Sequence, residues 1–241
     1  MGVLSMNTHL VIGLGEVGLA VQHVLKQAYD VEGLDQDQEI DRLFDVLHIC
    51  FPYGDVFVSS VLAYRERYLR NGGLVIIHST TPLGITKQCA DVHSPIRGVH
   101  PNLIAGIQTF VKYFGGDRAD EAAEIFKQLN IKTKTTPLAE TTEALKLWDT
   151  TYYGWNILFE KAVFVYCLEH GLDREIVYQD ANITYNSGYR TLGREEVVRP
   201  VLTHKEGAIG GHCVIPNALL LQNNLAEFLV DQNRLLEKGE G

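Results

Sequence analysis

A cysteine near the end of the chain stands in a setting that could make it a nucleophile. Gly210 and Gly211 precede His212 and Cys213, and glycines let a backbone approach a ligand or adopt positive φ. Pro216 and the apolar residues after it predict a helix that begins close to the cysteine. The dipole of that helix would favour a thiolate. The alternative is a tight turn that ends in a small buried apolar side chain.

A glycine-rich turn near the start of the chain has the pattern of a dinucleotide-binding loop. A strand-like run, residues 8–12, leads into Gly13-Leu14-Gly15-Glu16-Val17-Gly18, and helical spacing follows. After a second apolar run, Asp35 ends the pattern about 20 residues beyond the turn. The glycines allow the pyrophosphate to reach a helix N-terminus, and the acid can bind the ribose hydroxyls. The predicted cofactor contacts in this region are Gly13, Gly15, Glu16, Val17, Gly18 and Asp35.

The predicted cofactor is NAD rather than NADP, because the carboxylate of Asp35 would repel a 2′-phosphate. The alternative is a glycine turn in an α/β domain that binds nothing.

Further strand and helix patterns alternate up to residue 136, which predicts a parallel sheet. Ligands bind at the carboxyl ends of such strands, so the loops at Phe51-Pro52 and Ser79-Thr80 are predicted walls of the cofactor site. Only a short segment separates Asp35 from the next strand, which predicts a trimmed nucleotide-binding fold.

The longest helical stretch runs over residues 137–170, with Thr136 as its N-cap and Pro137 at its first position. Apolar side chains occupy most of its circumference, which predicts burial on nearly all sides and a homodimer formed through this helix. Lys146 and Thr150 share one face of the helix with Glu143. Lys146 is either a site residue or an exposed lysine paired with Glu143.

Helices are also predicted over residues 173–185, 194–202 and 216–238, with no strand pattern after residue 137. The predicted fold class is therefore α/β: a trimmed Rossmann-like dinucleotide-binding domain, residues 1–136, followed by an all-helical domain, residues 137–241. The second domain would carry substrate contacts and the dimer interface.

The histidine-rich segment 93–102 is a substrate loop or a plain connection, since its spacing does not suit a metal site.

Composition narrows the possible partners. The 241 residues carry a formal net charge of −9 and no basic block, which argues against nucleic acid and anionic membranes. No leader pattern and no uncharged apolar span stand out, so we expect a cytoplasmic protein. The four cysteines lie far apart without metal-ligand spacing and are expected to be reduced. Cys50 and Cys167 are expected to be packing residues.

Four motifs, taken together, resemble the nucleotide-sugar 6-dehydrogenases of the 6-phosphogluconate dehydrogenase-like superfamily, which act on UDP-glucose, GDP-mannose and UDP-N-acetylmannosamine. They occur in the family's order and rough spacing, over about residues 8–225: Gly13 to Leu19, Ser79-Thr80-Thr81-Pro82, Glu143-x-x-Lys146, and Gly210-Gly211-His212-Cys213. The last of these is the most specific. The resemblance leaves out the family's separate nucleotide-sugar-binding domain.

The resemblance implies an NAD-dependent oxidation of a primary alcohol or aldehyde group on a small, sugar-like substrate such as a nucleotide sugar. Cys213 matches the cysteine that attacks the aldehyde to form a thiohemiacetal, which a second hydride transfer turns into a thioester for hydrolysis. Lys146 matches a lysine that stabilises oxyanions, and Thr80 matches a threonine near the cofactor and the catalytic water.

Three positions depart from the family's pattern. Thr150 stands where the family has asparagine, Asn217 where it has aspartate, and Ile96 where it often has glutamate. Because the family's groups assist proton transfer and hydrolysis, these exchanges leave two alternatives open. One is a single two-electron dehydrogenase or reductase in which Cys213 is passive. The other is a non-catalytic NAD-binding regulatory protein.

Overall fold

The computed structural model describes residues 6–36, 38–98 and 101–238. These residues form two compact units, one that ends at Lys146 and one that begins at Leu147. Each unit has an apolar core of its own. Within the described ranges, no helix is both long enough and apolar enough to cross a membrane.

The first unit alternates strands and helices along the chain. Its strands are β1 (Thr8–Ile12), β2 (Asp30–Leu34), β3 (Phe44–Ile49), β4 (Leu69–Ile77), β5 (Val92–His93), β6 (Lys112–Gly115) and β7 (Thr133–Thr136). Its helices are α1 (Glu16–Leu25), α2 (Phe57–Tyr68), α3 (Thr86–Cys89), α4 (Leu103–Thr109) and α5 (Ala119–Lys127). The start of α6 (Ala139–His170) also belongs to this unit.

The seven strands of the described residues form one sheet in the order β2-β1-β3-β4-β5-β6-β7. All neighbouring strands are parallel except β5 and β6. Helices α1, α4 and α5 contribute to the core on one face, and α2 and α3 to the core on the other. The described part of the β2–β3 connection holds no helix. The predicted trimmed, Rossmann-like architecture is thereby confirmed.

The second unit is helical, as predicted, and no strand occurs in the described residues after Thr136. After α6 come a π-helical turn (Glu175–Asp180) that runs into α7 (Ala181–Thr191), a 3-10 turn (Glu195–Val197), α8 (Val214–Leu220) and α9 (Asn224–Lys238). The core joins Leu147 of α6 to apolar residues of α8 and α9. Gly154 permits this packing, because a Cβ there would lie 2.6 Å from Val214 Cγ1.

The predicted start of the long helix is wrong by a few residues. Thr136 is the last residue of β7, and its carbonyl accepts a hydrogen bond from the N–H of Gly116. The helix begins at Ala139, so Thr136 is not its N-cap and Pro137 is not its first residue. A sheet neighbour therefore overrides the local capping pattern.

Two of the later helix predictions also need correction. Residues 194–202 form only the 3-10 turn, because Asn186 occupies both the N–H and the carbonyl of Arg199, each at 2.8 Å. The predicted helix 216–238 is two helices, α8 and α9. The side chain of Asn223 accepts a hydrogen bond from the N–H of Leu225 at 2.9 Å and so caps the start of α9.

Candidate functional site

The turn after β1 is held tightly against the loop after β3. Gly13 has φ +90°, and its N–H donates to the carbonyl of Leu34 at the end of β2, at 2.9 Å. A Cβ on Gly13 would lie 2.8 Å from the backbone nitrogen of Phe51. Strand β2 lies on one side of β1 and β3 lies on the other, so the strand order reverses direction at β1. Open α/β sheets bind ligands at such a reversal, beyond the carboxyl ends of the strands.

The other two glycines of the turn have different roles. A Cβ on Gly18 would lie 1.8 Å from the carbonyl oxygen of Gly13, so packing within the chain requires glycine there. A Cβ on Gly15 would meet no atom within 4 Å. Gly15 is exposed and immediately precedes α1, whose first N–H groups have no partner further back in the helix. This open surface at a helix N-terminus suits the approach of a phosphate group.

The remaining residues of the predicted cofactor loop lie around this opening. Glu16 is the first residue of α1 and is exposed, and Val17 is half-buried. Asp35 is exposed and directly follows Leu34, the residue that receives the Gly13 N–H. Its carboxylate accepts the N–H of Gln36 at 3.0 Å. The carboxylate and the glycine turn thus both follow the carboxyl ends of neighbouring parallel strands, an arrangement that could hold the ribose and pyrophosphate groups of a dinucleotide.

The two predicted wall loops are joined to each other. The hydroxyl of Ser79 donates to the carbonyl of Phe51 at 2.6 Å. The Phe51 ring packs on Phe57, with 4.9 Å between ring centroids, and Pro52 is exposed. The Ser79 hydroxyl therefore fixes the distance between the loops, while the next residue, Thr80, is half-buried.

The loop that follows Thr80 is held by Glu143, for which the sequence indicates only a pairing with Lys146 and a place in the Glu143-x-x-Lys146 motif. Glu143 is fully buried, and its carboxylate accepts the N–H of Gly84 at 2.6 Å and the N–H of Thr86 at 2.9 Å. The hydroxyls of Thr86 and Thr81 donate to it as well. Glu143 thus fixes the loop next to Thr80 to the start of α6.

Lys146 lies one turn further along α6 and is half-buried. Its Nζ donates to the backbone carbonyl of Ile96 at 2.8 Å. The side chain of Ile96 is buried in the core with Leu103 and Ile107. Ile96, at the position where the resembled family often has glutamate, is therefore a packing residue, and its carbonyl accepts the hydrogen bond of Lys146.

The histidine-rich segment contributes structure at its first residue. His93 is buried, with Nδ1 at 2.9 Å from the hydroxyl of Thr142 and Nε2 at 3.1 Å from the carbonyl of Ser79. Burial lowers the pKa of His93 to about 3. Val99 and His100 of this segment lie outside the described residues.

In the second unit, Cys213 immediately precedes α8 and is half-buried. Gly211 has φ +84°, a conformation that favours glycine. A Cβ on Gly210 or on Gly211 would meet no atom within 4 Å. The backbone on the approach to Cys213 is therefore open.

Two residues that depart from the resembled family are hydrogen-bonded to each other. The side-chain amide of Asn217 donates to the hydroxyl of Thr150 at 3.3 Å, and that hydroxyl also donates to the carbonyl of Leu147 at 3.1 Å. Asn217 is buried on α8, one turn after Cys213. A neutral pair thus links α6 to α8, and neither position supplies a carboxylate as a general base.

The segment that carries Cys213, residues 204–213, is here called the cysteine strap. It is attached to α6 by two neighbouring buried charges. Glu160 binds His204 Nδ1 at 3.1 Å, and the Nζ of Lys161 donates to the carbonyl of Gly207 at 2.6 Å. Sequence reasoning missed this role, although two adjacent charges within an apolar helix were a signal that they need buried partners.

The other three cysteines are buried, as expected for the packing roles of Cys50 and Cys167. Burial raises the pKa of Cys50 to about 12 and that of Cys89 to about 11, so neither is a thiolate near neutral pH. Within the described ranges, no group of three or more potential ligands could hold a metal ion.

The predicted catalytic residues divide between the two units. Thr80 and Lys146 belong to the first, and Thr150, Cys213 and Asn217 to the second. Within their own units, the structure brings Thr150 and Asn217 into contact.

The fold is shared with known dehydrogenases. The structure of UDP-D-ManNAc dehydrogenase from Pyrococcus horikoshii superimposes with a TM-score of 0.77 at 19% identity, covering 95% of this chain and 68% of that one. UDP-N-acetyl-mannosamine dehydrogenase from Staphylococcus aureus gives 0.70 at 18% identity, with the same coverage of 95% and 68%. The 3-hydroxyisobutyrate dehydrogenase of Mycobacterium tuberculosis gives 0.67 at 16% identity, covering 94% of this chain and 92% of that one. Neither a protein-family model nor a curated protein matches the chain.

Proposed function

We propose that this protein is an NAD-dependent dehydrogenase that oxidises a primary alcohol or aldehyde group of a sugar-like substrate, such as a nucleotide sugar. The observation that carries the proposal is the opening at Gly15, where the N-terminus of α1 follows β1 and Asp35 follows the neighbouring strand β2. The names of the similar structures support it, since several are UDP-sugar dehydrogenases. We further propose that the enzyme is cytoplasmic, and its net charge of −9 fits a protein that binds neither nucleic acid nor anionic membranes.

In this proposal the residues of the first unit bind the cofactor. The N–H groups at the start of α1 hold the pyrophosphate, with Gly15 allowing close approach, and Asp35 accepts the ribose hydroxyls. Phe51, Pro52, Ser79 and Thr80 line the nicotinamide side. The bound cofactor would supply the acceptor for a hydride.

Lys146 is the proposed stabiliser of negative charge on the substrate oxygen. Its hydrogen bond to the Ile96 carbonyl holds the ammonium in a defined position before substrate binds. A fixed cation stabilises a developing alkoxide without reorganisation in the transition state. Thr80 is the proposed hydroxyl partner for the catalytic water.

Cys213 is the proposed nucleophile for the second oxidation. Its thiolate adds to the aldehyde carbon, and the oxygen takes a proton, which gives a thiohemiacetal. Loss of that proton and of a hydride, for which a second oxidised NAD would be the acceptor, gives a thioester, and water then releases the carboxylic acid and the thiol. Thr150 and Asn217 would fix the start of α8 relative to α6 through their neutral hydrogen bond.

A second candidate is a single two-electron oxidation or reduction with Cys213 passive. The Asn217–Thr150 pair favours it, because hydrolysis of a thioester gains no carboxylate base from either position. The 3-hydroxyisobutyrate dehydrogenase structure, most of which this chain covers, also supports it. If NAD binds but no substrate reacts, the protein is instead a regulatory protein that binds NAD without catalysis.

We also propose a homodimer formed through α6. Tyr152, Phe159 and Tyr166 are spaced by one heptad and expose 63%, 63% and 54% of their surface. A heptad repeat of apolar side chains places them on one side of a helix, ready to pack against a second helix. A protein that sediments as a monomer at micromolar concentration would refute this part of the proposal.

The main test is a screen of nucleotide sugars, free sugars and hydroxy acids for NADH formation, together with calorimetric titration of NAD. The proposal expects NAD binding and one reactive class. Replacement of Cys213 by serine should stop the reaction after one NADH per substrate, whereas unchanged stoichiometry supports the two-electron candidate. Lys146→Met should lower kcat at least about tenfold, with the exposed Lys127→Met as its control. Failure of NAD to bind would overturn both candidates.

A further inference from the structure

A column of three buried histidines crosses the sheet of the first unit. His9 lies in β1, His48 in β3 and His78 directly after β4, and none exposes more than 2% of its surface. The register pairs Val11 with His48, so the rings step diagonally from the amino end of β1 to the carboxyl end of β4. No part of the proposed enzyme mechanism uses these side chains.

Successive ring nitrogens in the column lie at hydrogen-bond distance. His9 Nδ1 is 2.8 Å from His48 Nε2, and His48 Nδ1 is 2.9 Å from His78 Nε2. The outer nitrogens face carbonyl oxygens: His9 Nε2 is 3.1 Å from that of Met6, and His78 Nδ1 is 2.7 Å from that of Ser94. These four contacts need four protons, but three neutral imidazoles carry only three N–H groups. The neutral column is therefore one proton short.

A buried lysine stands at one end of the column, where it can supply a proton to the terminal ring. Lys112 Nζ donates to the Ser94 carbonyl at 3.1 Å and lies 3.4 Å from His78 Nδ1. Burial lowers the pKa of Lys112 to about 7 and holds the pKa of His48 and His78 well below its usual range. A second positive charge beside the lysine is disfavoured in this apolar setting, so the group carries at most one.

The surrounding elements add few groups that titrate near neutral pH. The charged or titratable side chains that act on the column or on Lys112 are Tyr29, Asp30, Asp45, Cys50 and His93. The two aspartates favour positive charge at His9, the end of the column opposite to Lys112. The pKa of Cys50 is raised to about 12 and that of His93 is lowered to about 3, so both stay neutral near pH 7.

We propose that the three imidazoles conduct protons between Lys112 and the amino end of β1 at Met6, and that the protonation state of Lys112 selects the tautomer of all three rings. When Lys112 is an ammonium, it donates to His78 Nδ1 and to the Ser94 carbonyl, and His78 Nδ1 then has no proton of its own to donate to that carbonyl. Each ring then carries its proton on Nε2 and donates toward Met6.

Loss of the lysine proton reverses both ring-to-ring hydrogen bonds of the column and removes the one from His9 to the Met6 carbonyl. The proton of Lys112 passes to His78 Nδ1, and the Nε2 proton of His78 passes to His48 Nδ1. The Nε2 proton of His48 passes in turn to His9 Nδ1, and the Nε2 proton of His9 passes to solvent water beside Met6. One proton enters at one end and one leaves at the other, so the enclosed lysine exchanges its proton with solvent across the sheet.

The test is a pH titration of the full chain labelled with ¹⁵N-histidine, followed by long-range ¹H–¹⁵N spectra that distinguish Nε2–H, Nδ1–H and doubly protonated rings. Single histidine variants assign the signals. We expect all three rings to change from Nε2–H to Nδ1–H with one shared midpoint near the lowered pKa of Lys112, about 7. Rings that keep one tautomer throughout, or that change at separate midpoints, would overturn the proposal.

Two variants locate the source and the path of the change. Lys112→Met should abolish the shared change of tautomer near pH 7, while the exposed Lys127→Met should titrate as the unaltered protein does. In His48→Leu, His78 should still follow Lys112, but the tautomer of His9 should no longer change with it. If His9 and His78 still changed together in that variant, the column would not be the path. The titration of the unaltered protein tests the proposal even where a variant does not fold.

Discussion

The chain contains two glycine-containing segments that look alike in sequence but differ in what requires the glycines. In the turn after β1, a Cβ on Gly18 would lie 1.8 Å from a backbone oxygen, so packing alone demands glycine. Around Gly210 and Gly211 the space is open, and only Gly211 has a positive φ. Close contacts of its own backbone thus fix the first turn. The cysteine strap, in contrast, is held by hydrogen bonds to side chains of α6.

The two candidate regions also differ in the hydrogen bonds that hold them. In each region, a buried charged side chain on α6 makes those bonds. The carboxylate of Glu143 accepts four donors from the loop after Thr80, two of them backbone N–H groups. The ammonium of Lys161 donates to two carbonyls of the strap, those of Lys205 and Gly207. We therefore expect the first region to be the more rigid, and four substitutions test that difference.

The largest effect is expected for Gly18→Ala. The added methyl group collides with the Gly13 carbonyl, and the backbone must move, so the free energy of unfolding should fall by about 3 kcal/mol. Urea denaturation measures this. The control is Gly15→Ala, which should keep stability within about 0.5 kcal/mol yet weaken NAD binding. Equal losses of stability in the two variants would contradict the division between a packing glycine and a binding glycine.

Glu143→Gln comes next. The amide keeps one acceptor oxygen but turns an NH₂ group toward buried donors, which should cost about 2 kcal/mol of unfolding free energy. Glu140→Gln, one turn earlier and paired with the exposed Lys87, should cost less than about 1 kcal/mol. If the two variants lost the same stability, Glu143 would not be the support of its loop.

Lys161→Met keeps the apolar stem but removes both hydrogen bonds to the strap. We expect a loss of about 1–2 kcal/mol in urea denaturation and faster amide hydrogen exchange at residues 205–209. Exchange in the loop held by Glu143 should not change. Unaltered exchange in the strap would show that Lys161 does not hold it.

Gly210→Ala should have the smallest effect on stability, within about 0.5 kcal/mol, because the new methyl group meets open space. If Cys213 is the nucleophile, the same methyl group should raise the KM for substrate. Gly211→Ala is the comparison, since φ +84° should add a cost of about 1 kcal/mol. A loss of several kcal/mol in Gly210→Ala would mean that both glycine segments are built by packing.

The parts of the molecule that depend on local pattern were predictable. The strand, turn and helix around Gly13 follow from adjacent residues, and so does the helical character of the chain after residue 137. The role of Glu143 was not predictable, because its donors lie about 60 residues away in sequence. The histidine column was missed for the same reason, since strand register, which no local pattern reveals, brings His9, His48 and His78 together.

By itself, the sequence determined the α/β class, the trimmed connection after β2, the glycine turn with Asp35, and the position of Cys213 just before a helix. Each depends on residue types over a few turns or strands, where periodicity and glycine chemistry act locally. Only the tertiary structure decided which glycines are required by packing, which charges are buried, and that Asn217 binds Thr150. Those features depend on contacts between distant segments, because burial and hydrogen-bond partners exist only once the chain has folded.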